Sequence, residues 1–201
     1  MRGLRQLAKQ ATRERVLAAA RDLFDEIGYE DATIRMIAQR AGVSVGSVFT
    51  TFAGKTEILS QVMDERLEAL YAELDRILPA LRGATVDRLR SIMAVHYGFE
   101  TRRLRLFVAY ITASYRWSAD QDVIPLGRNT HMKGMLAQIL LAGIERGEVR
   151  EDADIDTFID TLLAAYIWNY RLTSYEHADL VRLTEIMDRQ IGLLFEGVAA
   201  R

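Results

Sequence analysis

Cysteine is absent from this chain of 201 residues, which excludes disulfide bonds, thiolate metal sites and a cysteine nucleophile. Long apolar runs are also absent, since a stretch such as residues 162–168 is far too short to span a bilayer. The first ten residues are basic, but no apolar segment follows them, so we expect no secretory signal peptide. Together these absences favour a cytoplasmic, soluble protein without a membrane partner.

Charge of neither sign is in large excess, but the charge is unevenly distributed. The formal net charge is −2, and half of the residues are hydrophobic, as in ordinary globular proteins. Residues 1–55 contain nine basic and six acidic residues, whereas residues 56–201 contain seventeen and twenty-two. The basic N-terminal region is suited to an anionic partner, whereas the acidic remainder is not.

Strand signals are missing, because no segment alternates apolar and polar residues and no Asn-Gly or Asp-Gly turn occurs. Apolar residues instead recur at intervals of three and four, which predicts amphipathic helices. The chain is therefore predicted to be all-α, with about nine helices. Caps and breaks place a first helix capped by Thr12 and ended by Gly28, a second from Thr33 to Ala41, a third from Ser44, a fourth from Lys55 to Leu78 ended by Pro79, and others near residues 85–100, 102–117, 124–146, 154–175 and 179–199.

The segment Thr33–Phe52 has the organisation of a helix-turn-helix. Two short helices are separated by a turn at Gly42, where glycine adopts a positive φ without the penalty of a Cβ. Ile37 and Val48 can share one small core, and Ala38 allows the helices to approach closely. In this motif the second helix enters the DNA major groove with its N-terminal residues at the base edges.

The outer face of the third helix carries only small or short side chains, namely Val45, Gly46, Ser47, Thr50 and Thr51. Nothing in this set would keep the helix out of a groove about 12 Å wide. The hydroxyl groups can form hydrogen bonds, and Val45 can contact a thymine methyl group. The alternative interpretation is a helical hairpin in a core whose hydroxyl groups are merely solvated.

Several cations flank this motif. Lys55 opens the fourth helix, where backbone N–H groups, the helix dipole and an ammonium group together suit a phosphate. Arg35 begins the second helix and can reach a phosphate or a base edge. Four more cations precede or open the first helix and can follow the DNA backbone: Arg2, Arg5, Lys9 and Arg13. The alternative is that each of these is a solvated surface residue.

Residues 13–59 resemble the DNA-binding domain of the tetracycline-repressor (TetR) family of transcriptional regulators. The matching positions are Ala20, Phe24, Gly28, Tyr29, Thr33, Ile37, Ala38, Ala41, Gly42, Val43, Ser44, Phe52 and Lys55. The resemblance implies a homodimer that binds a double-stranded DNA operator, usually as a repressor. It also implies a helical C-terminal domain that binds a small-molecule effector and changes the affinity for DNA.

The resemblance also assigns roles within the motif. Phe49 stands where the family commonly has a tyrosine that contacts phosphate, so the phenolic hydroxyl is missing here. Lys55 matches the family's phosphate-binding lysine, and Thr33 matches a capping position that also reaches phosphate. The predicted DNA-binding residues are therefore Thr33, Arg35, Ser44, Val45, Gly46, Ser47, Phe49, Thr50, Thr51 and Lys55.

An effector site enclosed by the fourth to eighth helices is a further implication of the resemblance. Aromatic residues concentrate at 97–117 and 158–175, and such residues line apolar cavities, although any one of them is more often core. His96 has Glu100 one turn later, but two ligands do not make a metal site. We expect no metal and no cofactor. The candidate effector-binding residues are Met93, His96, Tyr97, Phe107, Tyr110, Ile111, Met135 and Trp168.

A dimer also follows from a physical need, because one short helix on a few base pairs binds too weakly to find a site in a genome. Two such helices bind half-sites about 34–36 Å apart. The last two helices have long apolar stripes and, by the resemblance, form the interface. The predicted interface residues are Leu180, Leu183, Met187, Ile191 and Leu194. The alternative is that these stripes pack only within one chain.

An enzyme is not expected, because no Gly-rich phosphate loop, G-x-S-x-G elbow, H-E-x-x-H motif or recognisable carboxylate pair occurs. The remaining alternative is a helical adaptor whose helix-turn-helix contacts another protein. We predict an N-terminal three-helix DNA-binding domain at residues 1–54. Residues 55–201 are predicted to form a helical domain for effector binding and dimerisation.

Overall fold

A computed structural model describes residues 2–115 and 130–200 of the chain. These residues form ten α-helices, two 3-10 turns and one isolated β-bridge, so the prediction of an all-α protein is confirmed. The helices are α1 (Arg2–Glu26), α2 (Ile34–Ala41), α3 (Val45–Phe49), α4 (Lys55–Ile77), α5 (Thr85–Glu100), α6 (Leu104–Ser114), α7 (Thr130–Glu145), α8 (Ile155–Asn169), α9 (Leu172–Tyr175) and α10 (Leu180–Glu196).

The first helix starts ten residues earlier than its predicted cap. Thr12 lies inside α1, and its hydroxyl donates to the carbonyl oxygen of Ala8 at 3.0 Å, so the predicted cap at this residue is wrong. The short-range reason is that serine and threonine hydroxyls also bond back to the preceding turn of a helix. The end of α1 agrees with the prediction, because Gly28 follows it with a φ of +88°.

The predicted helix over residues 154–175 is divided in the structure. Asp154 caps α8 by accepting a hydrogen bond from the backbone N–H of Thr157 at 3.0 Å. The helix ends at Asn169, and the four-residue α9 follows it. The predicted helix over residues 124–146 agrees with α7 from Thr130 onward, and its earlier part lies outside the described residues.

The chain divides into two compact units, and the division falls inside α4, after residue 68. Among the described residues the first unit contains α1, α2, α3, the beginning of α4 and α6. Helices α1, α2 and α3 pack against one another. The centre of this unit is apolar and fully buried, and includes Val16, Ala20, Phe24, Ile37, Ala38, Val48, Phe52, Ile58 and Leu59.

The second unit contains the end of α4 together with α5, α7, α8, α9 and α10. Helix α5 packs against α7 and α10, and α8 packs against the same two helices. The buried residues of this unit include Leu74, Leu89, Ile92, Met93, Tyr97, Leu136, Leu162, Leu183, Met187 and Ile191. Among the described helices, none combines the length and the apolar character that crossing a membrane requires.

Candidate functional site

The helix-turn-helix is held by two side-chain caps and one glycine. The hydroxyl of Thr33 accepts a hydrogen bond from the backbone N–H of Met36 at 3.2 Å, which starts α2. Gly42 ends α2 with a φ of +65°, the left-handed conformation that glycine adopts without strain. Ser44 then starts α3 by accepting from the N–H of Ser47 at 3.1 Å. Local sequence therefore defines both ends of the turn.

Helix α3 presents one face to the unit's core and the other to solvent. Val48 is fully buried, whereas Val45 and Phe49 are 39% and 55% exposed. Gly46 and Thr50, on the same outer side, are also exposed. A Cβ added at Gly46 would meet only the Ser44 hydroxyl, at 3.8 Å, so the protein's own packing does not require glycine there. The outer face is open and lined by small groups around one aromatic ring.

The hydroxyl groups of α3 are already oriented by the protein. Thr50 and Thr51 donate to the carbonyl oxygen of Ser47 at 2.9 and 3.0 Å, and the Ser44 and Ser47 hydroxyls lie 2.8 Å apart. Because the two threonine protons are engaged, those oxygens can form further hydrogen bonds only as acceptors. Acceptors of this kind suit the amino groups of cytosine or adenine in the major groove.

The structure gives Lys55 a different environment from the predicted one. Its ammonium group donates to three carbonyl oxygens of the loop between α1 and α2, at 2.7 Å to Tyr29, 3.2 Å to Glu30 and 2.9 Å to Ala32. The group also lies 4.2 Å from the centroid of the Tyr29 ring, and partial burial lowers its pKa. Since an ammonium has three N–H donors, all three are engaged. The ammonium group therefore has a structural role in this chain, and its contact with phosphate stays a prediction.

The other predicted cations divide into exposed and engaged ones. Arg35 and Lys9 are exposed, on α2 and α1. Arg13 is half-buried, and its guanidinium carbon lies 5.7 Å from the centroid of the Phe52 ring. Arg35 and Lys9 are therefore the better candidates for phosphate contacts.

The predicted effector-binding residues do not all belong to one unit. Met93, His96, Tyr97 and Met135 are buried in the second unit, on α5 and α7. Three others are buried residues of α6, which belongs to the first unit: Phe107, Tyr110 and Ile111.

Trp168 does not lie among the buried candidates. Its side chain is 59% exposed, and the Arg171 guanidinium lies 3.6 Å from the ring centroid. Tyr166 faces the interior, and a residue two positions later is turned about 200° around a helix. The prediction that Trp168 lines an interior effector site is therefore corrected by its position on α8.

A tyrosine network that sequence reasoning missed lies inside the second unit. The hydroxyls of Tyr166 and Tyr170 are 3.0 Å apart, and the Asn169 amide donates to the Tyr97 hydroxyl at 3.1 Å. The same amide donates to Gln190 on α10 at 2.7 Å. Burial raises the pKa of all three tyrosines, so the network consists of neutral phenols. The signal available in the sequence was the polar residue Asn169 at the end of the largely apolar segment that forms α8.

The predicted dimer stripe on α10 is mostly covered by the chain itself. Leu183, Met187 and Ile191 are buried, and α10 packs against α5 and α8. Leu180 is 40% exposed and Leu194 is half-buried. This corrects the expectation for Leu183, Met187 and Ile191, because an apolar stripe also fits the interior of one chain. Leu180 and Leu194 stay predicted interface residues. Among the described residues, no group of three or more His, Asp or Glu side chains is placed to hold a metal ion.

An outward-facing short helix, capped at its start and carried by a packed three-helix unit, defines a helix-turn-helix DNA-binding protein. The comparisons with known proteins agree with that class. The model of the bacterial regulatory proteins of the tetR family matches residues 16–62. The HTH-type transcriptional regulator SrpR of Pseudomonas putida is 42% identical, over 67% of this chain and 76% of that protein.

More distant relatives extend the similarity beyond the N-terminal region. The HTH-type transcriptional repressor KstR2 of Mycobacterium tuberculosis is 28% identical over 72% of each chain. Thermus thermophilus FadR, a TetR family transcriptional repressor solved in complex with lauroyl-CoA, superposes with a TM-score of 0.74. It is 26% identical, and the superposition covers 94% of this chain and 96% of that one.

The chain belongs to the TetR family of transcriptional regulators. It is a DNA-binding regulator that responds to a ligand, and its family is non-enzymatic.

Proposed function

We propose that this regulator is a homodimeric repressor whose two α3 helices bind the halves of a palindromic operator, with residues 1–54 as the DNA-binding domain. The observation that carries the proposal is the exposed face of α3, on which Val45, Gly46, Phe49 and Thr50 are all accessible while Val48 anchors the helix. The operator DNA places the site of action in the cytoplasm. Two DNA-binding domains that bind together can bind DNA more tightly than a single helix of five residues.

The dimer surface is proposed on the outer sides of α8, α9 and α10. Large apolar side chains are exposed on all three helices: Trp168 (59%), Tyr175 (78%), Val181 (63%) and Leu193 (72%). Val181 precedes the buried Leu183 by two residues, and Leu193 follows the buried Ile191 by two, so both lie on the outer side of α10. Because α8 and α10 pack together, one partner surface can include both helices.

Release by an effector is proposed to act through α4. This helix of 23 residues contributes to both units, and Lys55 ties its first turn to the loop between α1 and α2. An effector that favours one position of the C-terminal end of α4 would change the distance between the two DNA-binding domains of the dimer. Its effect is limited to the difference in its affinity for the two states.

The effector is proposed to be a small, largely apolar molecule. Three candidate residues of the second unit, Met93, Tyr97 and Met135, are buried and are apolar or aromatic. Thermus thermophilus FadR was solved in complex with lauroyl-CoA, whose acyl chain is apolar and whose coenzyme A part is charged. Apolar linings with a few polar groups are typical of small-molecule sites.

The test is a gel-shift titration of the full chain with the DNA that flanks its own gene, at two salt concentrations. We expect binding that weakens steeply as salt rises, because phosphate contacts release counterions. Phe49→Glu should lower the affinity by more than about tenfold, since a carboxylate would face the phosphates. Leu141→Glu is the matched control, because Leu141 is 52% exposed on α7. Equal DNA binding by the two variants would show that α3 does not contact DNA. Absence of salt-dependent DNA binding by the wild type would instead favour the adaptor alternative.

A further inference from the structure

His96 carries a buried polar atom that the protein itself leaves unused. The residue lies on α5 in the second unit and is 4% exposed. Its Nε2 atom is buried and forms no hydrogen bond with any residue in the described part of the chain. A buried polar group without a hydrogen bond is costly, and such groups are uncommon in folded proteins.

The surroundings of the imidazole are mostly aromatic and apolar, with the fully buried carboxyl group of Glu100 one turn later on α5. The ring centroid lies 6.0 Å from that of Tyr71 and 5.8 Å from that of Tyr166, whose ring is nearly perpendicular to it. Met93, one turn earlier on α5, is fully buried. Burial lowers the pKa of His96 to about 3, so the ring is neutral at physiological pH. A neutral imidazole nitrogen can donate or accept one hydrogen bond, according to its tautomer.

The neighbouring polar groups already have structural partners. Tyr166 and Tyr170 share a hydrogen bond, and Asn169 links the Tyr97 hydroxyl to Gln190. Those bonds join α5, α8 and α10, and they account for the polar groups that they use. They do not include Nε2 of His96, which has no hydrogen-bond partner among the described residues.

We propose that Nε2 of His96 is the hydrogen-bonding point for the effector, and that the effector presents to it an uncharged hydroxyl or carbonyl group on an aromatic or alicyclic body. The aromatic rings of Tyr71 and Tyr166 favour a ligand with an apolar cyclic body over a ligand with a polar body. A carboxylate would be buried beside a neutral ring, which is strongly unfavourable. The inference rests on the proposed function, since it identifies the chemistry of the effector of that same regulator.

The experiment is ¹⁵N NMR of the full-length protein with ¹⁵N-labelled histidine. The chain contains three histidines. The probes share one ring size: naphthalene, 2-naphthol, 2-tetralone, 2-naphthoate and 2-naphthylmethylammonium. We expect 2-naphthol or 2-tetralone to shift the ring nitrogens of His96 and to bind about tenfold more tightly than naphthalene, because the bond satisfies a buried group. His96→Phe should keep the affinity for naphthalene and lose the advantage of the polar probes.

Two results would overturn the proposal. One is that 2-naphthoate or the ammonium probe binds at His96 as well as the neutral probes do. The other is that no probe at millimolar concentration shifts the His96 resonances. If His96→Phe does not fold, His96→Leu provides the same comparison, because it also removes the hydrogen-bonding nitrogen and should lose the advantage of the polar probes. A gel shift with the DNA flanking the gene is run in parallel: DNA binding without any effect of the probes refutes only this inference, whereas loss of DNA binding by the wild type refutes the proposed function.

Discussion

His96 makes the stability of the protein depend on pH in a defined range. An exposed histidine titrates near pH 6.5, whereas burial lowers the pKa of His96 to about 3. Between these values the unfolded chain binds a proton that the folded chain does not. We therefore expect the free energy of unfolding to fall as the pH falls from about 6.5, by up to about 1.4 kcal/mol per pH unit, and to be unaffected by this residue above that range.

Urea unfolding at pH 7, 6 and 5 measures this dependence, with His96→Phe as the control that removes the titrating group. Arg146 and Thr85 lower the pKa of Glu148 to about 2, so its effect on stability begins only below about pH 4.5. The two residues therefore act in different ranges. Parallel stability curves for the wild type and the variant between pH 7 and 5 would contradict the prediction.

A substitution at Gly46 is predicted to change the stability of the protein and its affinity for DNA in opposite directions. Glycine inside a helix costs about 1 kcal/mol relative to alanine, and the structure has room for the added methyl group. Gly46→Ala should therefore raise the free energy of unfolding by about 1 kcal/mol. It should also lower operator affinity, by about tenfold, because the methyl group occupies the face that approaches the groove.

Gly134→Ala is the matched control, since Gly134 lies in α7 and an added Cβ would have no neighbour within 4 Å. Its stability should rise comparably while its DNA affinity stays that of the wild type. Thermal unfolding and gel-shift titration measure the two quantities. If Gly46→Ala bound the operator as tightly as this control does, a close approach of the DNA to Gly46 would be ruled out.

At the level of the helix, Lys55 distinguishes a structural link from a phosphate contact. Its three hydrogen bonds tie the start of α4 to the loop that precedes α2. Lys55→Met should lower the free energy of unfolding by about 1–3 kcal/mol, because three carbonyl oxygens lose their donor. DNA affinity should fall through loosening of the motif, with the slope of log affinity against log salt unchanged.

The salt slope is the decisive measurement, because a phosphate contact that is lost reduces it by about one. Lys133→Met, on α7, is the control for removing a lysine elsewhere. A reduced slope together with unchanged stability would return Lys55 to the phosphate-binding role that the sequence suggested.

At the level of the whole molecule, the exposed side of α10 is predicted to hold the dimer together. Leu193→Asp should produce monomers that keep their helical content, because this side chain is 72% exposed in the single chain. Leu183→Asp should instead unfold the protein, since it buries a carboxylate in an apolar core. Sedimentation equilibrium and circular dichroism distinguish these outcomes. The control Leu141→Asp should remain a dimer. If Leu193→Asp also remains a dimer, the interface does not include this side of α10.

Features that depend on near neighbours along the chain could be predicted from the residues alone. The caps at Thr33 and Ser44 and the left-handed turn at Gly42 each involve groups within a few residues, so residue type and spacing were sufficient to predict them. Helical periodicity likewise predicted the all-α fold. Thr12 shows the limit of this reasoning, because the same hydroxyl serves at a cap or inside a helix.

Features that depend on residues far apart in sequence could not be predicted before the packing of the helices was known. Lys55 is engaged by carbonyl groups 23 to 26 positions earlier, and the α10 stripe is buried by α5 and α8. Trp168 is exposed and His96 is buried for the same kind of reason. An apolar stripe or a cation carries no mark in its sequence of which surface will cover it, because burial and hydrogen-bond partners are properties of the packed chain.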